Sequence, residues 1–216
     1  RLTGTVQPTS VLSSIRPAAN AADRGTSRVY DALDRLTQET SPEGVVTQYT
    51  YDRVGNLVAT ARAAGTTELR TLLARYDLQN RLIGELTAEG AALLTGNETQ
   101  AEVDEIWARH STSYPYDAAG RRTPATDPAG HRTLFFYNAD GALTHSVNAL
   151  GEVRENRYHA RGRVSELYIY GVRVSTAGLA GGLLPASLTS ALAAVVSSQD
   201  LRVRYTHTSD GKVASE

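Results

Sequence analysis

Residues 114–122 read YPYDAAGRR, and residues 49–57 read YTYDRVGNL. Both stretches write Tyr-x-Tyr-Asp, then two free positions, then Gly and a basic or amide residue. With the second tyrosine as origin, the pattern recurs at Tyr30, Tyr51, Tyr76, Tyr116, Tyr137 and Tyr158, and in degenerate form at His207. The intervals are 21, 25, 40, 21, 21 and 49 residues, a period of 21 with insertions. Self-similarity at a fixed period marks a repeated supersecondary unit.

Four residues after each origin stand Asp34, Gly55, Asn80, Gly120, Gly141, Gly162 and Gly211. Gly, Asn and Asp are the residues that best tolerate positive φ. One residue after the origin stand Asp31, Asp52, Asp77, Asp117, Asn138, His159 and Thr208. Asp or Asn opening a turn closed by a left-handed residue predicts a tight hairpin connection. A second series, SPEG at 41–44, TAEG at 87–90, DPAG at 127–130 and NALG at 148–151, reads as the same turn. The two series interleave, so a reversal is expected every 10 or 11 residues. About six or seven residues remain for each strand, roughly 20 Å. Strands joined by tight turns are antiparallel neighbours. The expected fold is all-β: a long antiparallel meander, two strands per repeat, curling as a single layer because strand twist accumulates.

Repeats are expected over 28–90 and 114–171, with a degenerate copy over 204–216. Residues 1–27 form a leading segment, read as the end of a preceding repeat. Two insertions interrupt the pattern. In the first, 91–113, Thr99 and Glu102 fit a capping box. Val103, Ile106, Trp107 and His110 follow helical spacing and make one apolar face. Trp107 is expected to pack that helix on the sheet, with contact to a cargo or partner as the sharper alternative. In the second, 172–203, glycines 178, 181 and 182 read as a flexible loop, followed by a short helix with Leu188, Leu192, Val195 and Val196 on one face. Leu188 and Leu192 are the candidate contact for a partner, buried only in a larger assembly.

Nine of the 11 tyrosines occupy the two tyrosine positions of the repeat. Tyrosines two apart share a strand face. They are expected to pack as rows, with Leu36, Leu57, Leu82 and Leu143 following the turns; platforms for stacking sugars are the alternative. Tyr30, Tyr51, Tyr76, Tyr116, Tyr137 and Tyr158, with Gly55, Gly120, Gly141 and Gly162, are thus structural repeat residues.

Composition closes off several function classes. The net charge is -1, with 22 basic and 23 acidic residues, so there is no footprint for nucleic acid. There is no cysteine, which removes disulfides, thiolate chemistry and Cys-based zinc sites. The longest apolar stretch, 181–196, is shorter than the roughly 18 residues of a spanning helix and contains proline, so insertion of this segment into a membrane is not expected. With no methionine, even at position 1, the chain reads as an internal stretch of a longer protein.

Y-x-Y-D-x-x-G-[RN]-L followed by x-x-x-T-[DS]-P-x-G-x-x-T resembles the RHS or YD repeat. Residues 116–137, YDAAGRRTPATDPAGHRTLFFY, carry it best, and 41–57 come next. That family includes bacterial Rhs polymorphic toxins, the B and C components of insecticidal Tc complexes, and teneurins. The resemblance implies a sheet strip wound into a hollow shell that, in bacterial members, encloses a C-terminal toxic domain until delivery. The implied partners are the remaining repeats, the enclosed toxin domain and a delivery or toxin-complex subunit. The implied location is secreted, or delivered by a secretion system.

The histidines at 110, 131, 145, 159 and 207 match no metal-ligand spacing. The repeat aspartates have a sufficient reason in their turns. No nucleophile-elbow pattern occurs. No catalytic, metal or cofactor residue is assigned, and an enzyme is not expected. The leading functional reading is a wall segment that encloses an effector. A glycan- or cell-surface-binding module is the alternative.

Overall fold

The computed structural model describes residues 25–195, 197–208 and 212–215. Gly211, Val196 and most of the leading segment lie outside the described residues. The chain divides into two compact units, residues 1–49 with 61–70, and residues 50–60 with 71–216.

In the first unit, β1 (Ser27–Tyr30), β2 (Leu36–Thr40) and β3 (Val46–Tyr51) follow one another as antiparallel neighbours, β3 running on into the second unit. In the second, apart from residues 61, 62 and 70, β4 (Leu57–Arg62), β5 (Arg70–Tyr76), β6 (Leu82–Leu86), β7 (Ser111–Ser113), β8 (Pro124–Thr126), β9 (Arg132–Tyr137), β10 (Leu143–Val147), β11 (Val153–Tyr158) and β12 (Val164–Ile169) stand in chain order. β14 (Leu201–Arg204) then pairs with β12, and the sheet is not closed into a barrel. β15 (Thr206–His207) and β16 (Val213–Ser215) form a separate hairpin. The meander expected from the turn spacing is therefore the fold.

The repeat turns have the expected backbone. Residues at the left-handed position are Asp34 at φ 57°, Gly55 at 99°, Asn80 at 60°, Gly120 at 77°, Gly141 at 81° and Gly162 at 73°. Just beyond each turn lies a feature absent from the sequence reading. Tyr30 pairs with Leu36 but Val29 with Gln38, Tyr137 with Leu143 but Phe136 with His145, and Tyr158 with Val164 but Arg157 with Glu166. One extra residue, seven after the origin, is left over in each hairpin as a β-bulge. In four of the repeats a hydroxyl at this place bonds across the hairpin. Thr37, Thr123, Thr144 and Ser165 donate to the carbonyls of Val29, Pro115, Phe136 and Arg157 at 3.2–3.3 Å. Bulges bend a strand and increase its twist, so this bend is written into the repeat itself.

One expected turn is absent. TAEG at 87–90 starts a short helix, α1 (Ala88–Ala92), in which the Thr87 side chain accepts from the Gly90 N–H. A Cβ on Gly90 would lie 2.5 Å from His110 Cβ and 2.7 Å from Leu86 Cδ1. Glycine is needed there for close approach, not for positive φ. α2 (Gln100–His110) follows, with the Thr99–Glu102 capping box formed. Its buried residue is Trp107, which lies on Gly84 of β6: a Cβ on Gly84 would meet the indole at 3.3 Å.

The glycines at 181 and 182 also have a packing role, which corrects the flexible-loop expectation. Gly182–Leu183 form β13, parallel to β9. A Cβ on Gly181 would sit 2.4 Å from the Thr123 carbonyl oxygen. α3 (Ala186–Ala194) then lays Leu188 and Leu192 onto Leu134, Phe136, Val147, Val153 and Val174, making the main hydrophobic core. Over β9–β11 the sheet thus has a second layer. Strand alternation puts both α2 and α3 on the face opposite to the repeat tyrosines. Gly84 meets Trp107 while its neighbour Glu85 meets Tyr114, and Phe136 is in the core while Tyr137 faces away from it.

Candidate functional site

The residues that recur with chemistry-bearing side chains gather along the turn edge of the second unit. Four of the repeat turns, those of Asp31, Asp52, Asp77 and Asp117, are built on one acid. Asp117 Oδ1 accepts from the N–H groups of Ala119 and Arg121, and its Oδ2 accepts from Arg121 Nε at 2.8 Å. Asp77 does the same with Gln79 and Arg81, and Asp52 with Val54 and Asn56. In the first unit Asp31 holds Leu33 and Arg35 identically. The carboxyls of Asp31 and Asp117 are held below the usual range, foremost by the N–H of the residue after the left-handed position. At Asp77 burial opposes this, and the hydrogen bonds to Arg81 outweigh it. Hydrogen bonding to the charged form favours ionisation. His159 takes the same role, its Nδ1 accepting from the Arg161 N–H at 2.9 Å. It is a working substitute for aspartate and not merely a degenerate position.

The origin tyrosines point back to the preceding repeat. The hydroxyls of Tyr76, Tyr116, Tyr137 and Tyr158 donate to the carbonyls of Leu57, Leu82, Arg122 and Leu143 at 3.1, 2.9, 2.9 and 2.7 Å. In every case the acceptor lies six residues after the preceding origin. This explains tyrosine where phenylalanine would fill the same volume. Tyr51 sits at the end of β3, and Tyr30 is half exposed at the end of β1.

The arginine after the left-handed residue completes the link. Arg81, bound to Asp77, lies 4.5 Å from the ring centroid of Tyr116 in the next repeat, and Arg121, bound to Asp117, lies 5.6 Å from that of Tyr137. Arg122 covers Tyr114 at 4.1 Å. Asn56 also donates to Asn80 Oδ1 at 3.1 Å, turn to turn. The sequence placed the tyrosines, aspartates and glycines but missed Arg81 and Arg121 as partners and Thr123, Thr144 and Ser165 as bulge seals. The signal was there in the repeat alignment, at five and seven residues after the origin.

The two expected contact sites resolve differently from the partner reading. Leu188 and Leu192 are 1% and 4% exposed within the chain's own core, so they have no surface left to offer a partner. Trp107 is buried on Gly84 with Arg75 stacked 4.1 Å from its ring centroid. A second polar cluster lies on the helix-bearing face. Glu155 accepts from Arg157 and Tyr170, Arg157 also reaches Glu166, and Arg204 reaches Glu166. Among the described residues no group of three or more His, Asp or Glu is arranged to hold a metal ion. No helix among them is long and apolar enough to cross a membrane.

A meander whose tyrosine hydroxyls and turn arginines reach the adjacent repeats is a self-adhering repeat sheet. The family model described as RHS Repeat matches residues 30–67. An RHS repeat is therefore matched over that stretch of the chain. The tRNA3(Ser)-specific nuclease WapA of Bacillus spizizenii is 28% identical over 163 residues, 66% of this chain and 6% of that protein. Among solved structures, the Photorhabdus luminescens Tc holotoxin pore matches with a TM-score of 0.38 and 11% identity, covering 87% of this chain and 13% of that chain. TcdB2-TccC3 without its hypervariable C-terminal region matches with a TM-score of 0.27 and 10% identity, at the same coverages. The chain thus spans a small part of the proteins it matches.

Proposed function

We propose that this chain is a length of wall in an RHS-repeat protein, and that the wall encloses a C-terminal effector released outside the producing cell. One observation carries the reading. Four successive tyrosine hydroxyls are spent on carbonyls of the preceding repeat. Groups that would otherwise greet a ligand are used to hold strand pairs together. The chain's role is structural, and any catalytic activity of the whole protein belongs to what the wall surrounds. The neighbouring repeats and the enclosed domain are its partners, with a delivery or toxin-complex subunit at the end of the wall.

The test uses the full-length reading frame. Its C-terminal domain should resist protease while the repeats are intact, and should become sensitive in a Tyr116→Phe/Tyr137→Phe double variant. If the domain is cleaved at the same rate with and without the repeats, enclosure is wrong. Saturable glycan binding with tyrosine quenching would instead support a surface-binding module.

A further inference from the structure

The cluster around Glu155 contains an unusual member. His145 is 7% exposed, and its Nδ1 has no hydrogen-bond partner. A buried polar atom without a partner costs free energy and calls for a reason. His145 stands in a row that crosses the sheet on its helix-bearing face: Phe136, His145, Glu155, Tyr168, Arg202. On one side of it lies the apolar core, on the other the ion pairs.

Glu155, its direct neighbour, already accepts three hydrogen bonds. Arg157 binds it with Nε at 2.8 Å and Nη2 at 2.9 Å, and the Tyr170 hydroxyl donates to it at 2.9 Å. Tyr170 begins the segment that closes the core. Its N–H donates to the Val153 carbonyl, the Val174 N–H donates to that of Gly151, and the chain then enters α3. The groups facing this neighbourhood are Glu155 and Arg157 from β11, Glu166 and Tyr168 from β12, Arg202 and Arg204 from β14, and Tyr170 and Arg173 from the closing segment. Arg173 is bound to Glu152. Phe136 is the neighbour from β9, and α3 carries no charged residue.

We propose that His145 is an acid-operated release for the segment 170–195 over the core. Protonation puts a cation between Phe136 and Glu155, whose oxygens already accept three hydrogen bonds. The new charge is repelled by Arg157 and competes with Arg157 and Tyr170 for Glu155. Losing the Tyr170 bond frees the start of the closing segment. The sign follows from the geometry. Burial is the first of the forces that push His145 below the usual histidine value, and Arg157 adds to it while Glu155 opposes. The open state therefore binds the proton more tightly than the closed one. Closure is fully stable above about pH 6.5, the ordinary histidine value, and weakens as pH falls towards the closed-state value.

The experiment is hydrogen exchange on the whole chain at neutral and mildly acidic pH, corrected for intrinsic rates. Peptides from 170–195 should exchange several-fold faster in acid, while peptides from 70–86 should not change. In His145→Gln the acid response should vanish. A wild-type response that is absent, or one that persists in His145→Gln, overturns the proposal. If the variant does not fold, an NMR titration of the wild-type ring decides. His145 must titrate together with amide shifts in 170–195, and titration without them also overturns the proposal.

Discussion

Strands β5–β7 and β9–β11 are made of the same repeat, yet they are held in different ways. Around β5–β7 the buried apolar side chains are Leu86 and Trp107, covered by α1 and α2. Around β9–β11, α3 closes a continuous core of seven buried residues. The repeat supplies turns, bulges and tyrosine links in both places. Burial comes from the insertions. A repeat sheet of this kind is a scaffold of directional bonds, and hydrophobic stability is added where an insertion folds back.

The comparison breaks most clearly at Leu188. Leu188→Ala should cost about 2–5 kcal/mol, read by urea unfolding, with exchange protection falling over β9–β11 and holding over β5–β7. Equal loss in both regions would mean that they unfold as one body. Gly151→Ala should come next. Its Cβ would sit 2.0 Å from the Val174 carbonyl oxygen, and its φ is 81°. A loss of about 1–3 kcal/mol or more is expected from the clash. Gly130→Ala, at φ 82° with nothing near its Cβ, should show only the left-handed strain, about 1–2 kcal/mol. If the two alanine variants have the same Tm, the closing segment does not rest on Gly151.

Tyr137→Phe removes one inter-repeat link without changing volume. About 0.5–1.5 kcal/mol is expected, the net worth of one hydrogen bond, and the same value should appear for Tyr116→Phe because both regions share the link. A much larger loss at either site would show that the links act cooperatively. The smallest effect at neutral pH concerns the turn acids. Asp31, Asp52, Asp77 and Asp117 all have carboxyls held below the usual range by their turn hydrogen bonds. Their contribution is therefore complete above about pH 4 and is lost as pH falls through the lowered folded values. Asp117→Asn should flatten that acid limb in circular dichroism; an unchanged limb would mean that the turn is held by Gly120 alone.

Much of this was readable in the chain. Tyr at the origin, Asp after it and a left-handed residue at the fourth place have local causes, so they show as a period. The arginine–tyrosine stacking and the hydroxyl-sealed bulges also recur, but they join residues of adjacent strands, so their partners are invisible along the chain. TAEG misled because a glycine needed for close packing looks the same, in sequence, as one needed for positive φ. Leu188 and Leu192 misled because an apolar helical face states that it will be covered and not by what.

The sequence by itself therefore determined the tight reversals of the repeat and with them the order of the strands they join, because tight turns allow no other neighbour. Only the tertiary structure decided that both insertion helices lie opposite the tyrosines, that α3 builds a core with β9–β11, and that His145 is sealed beside Glu155. Those outcomes depend on which face an insertion folds back upon, and that choice is made by packing between residues far apart in the chain.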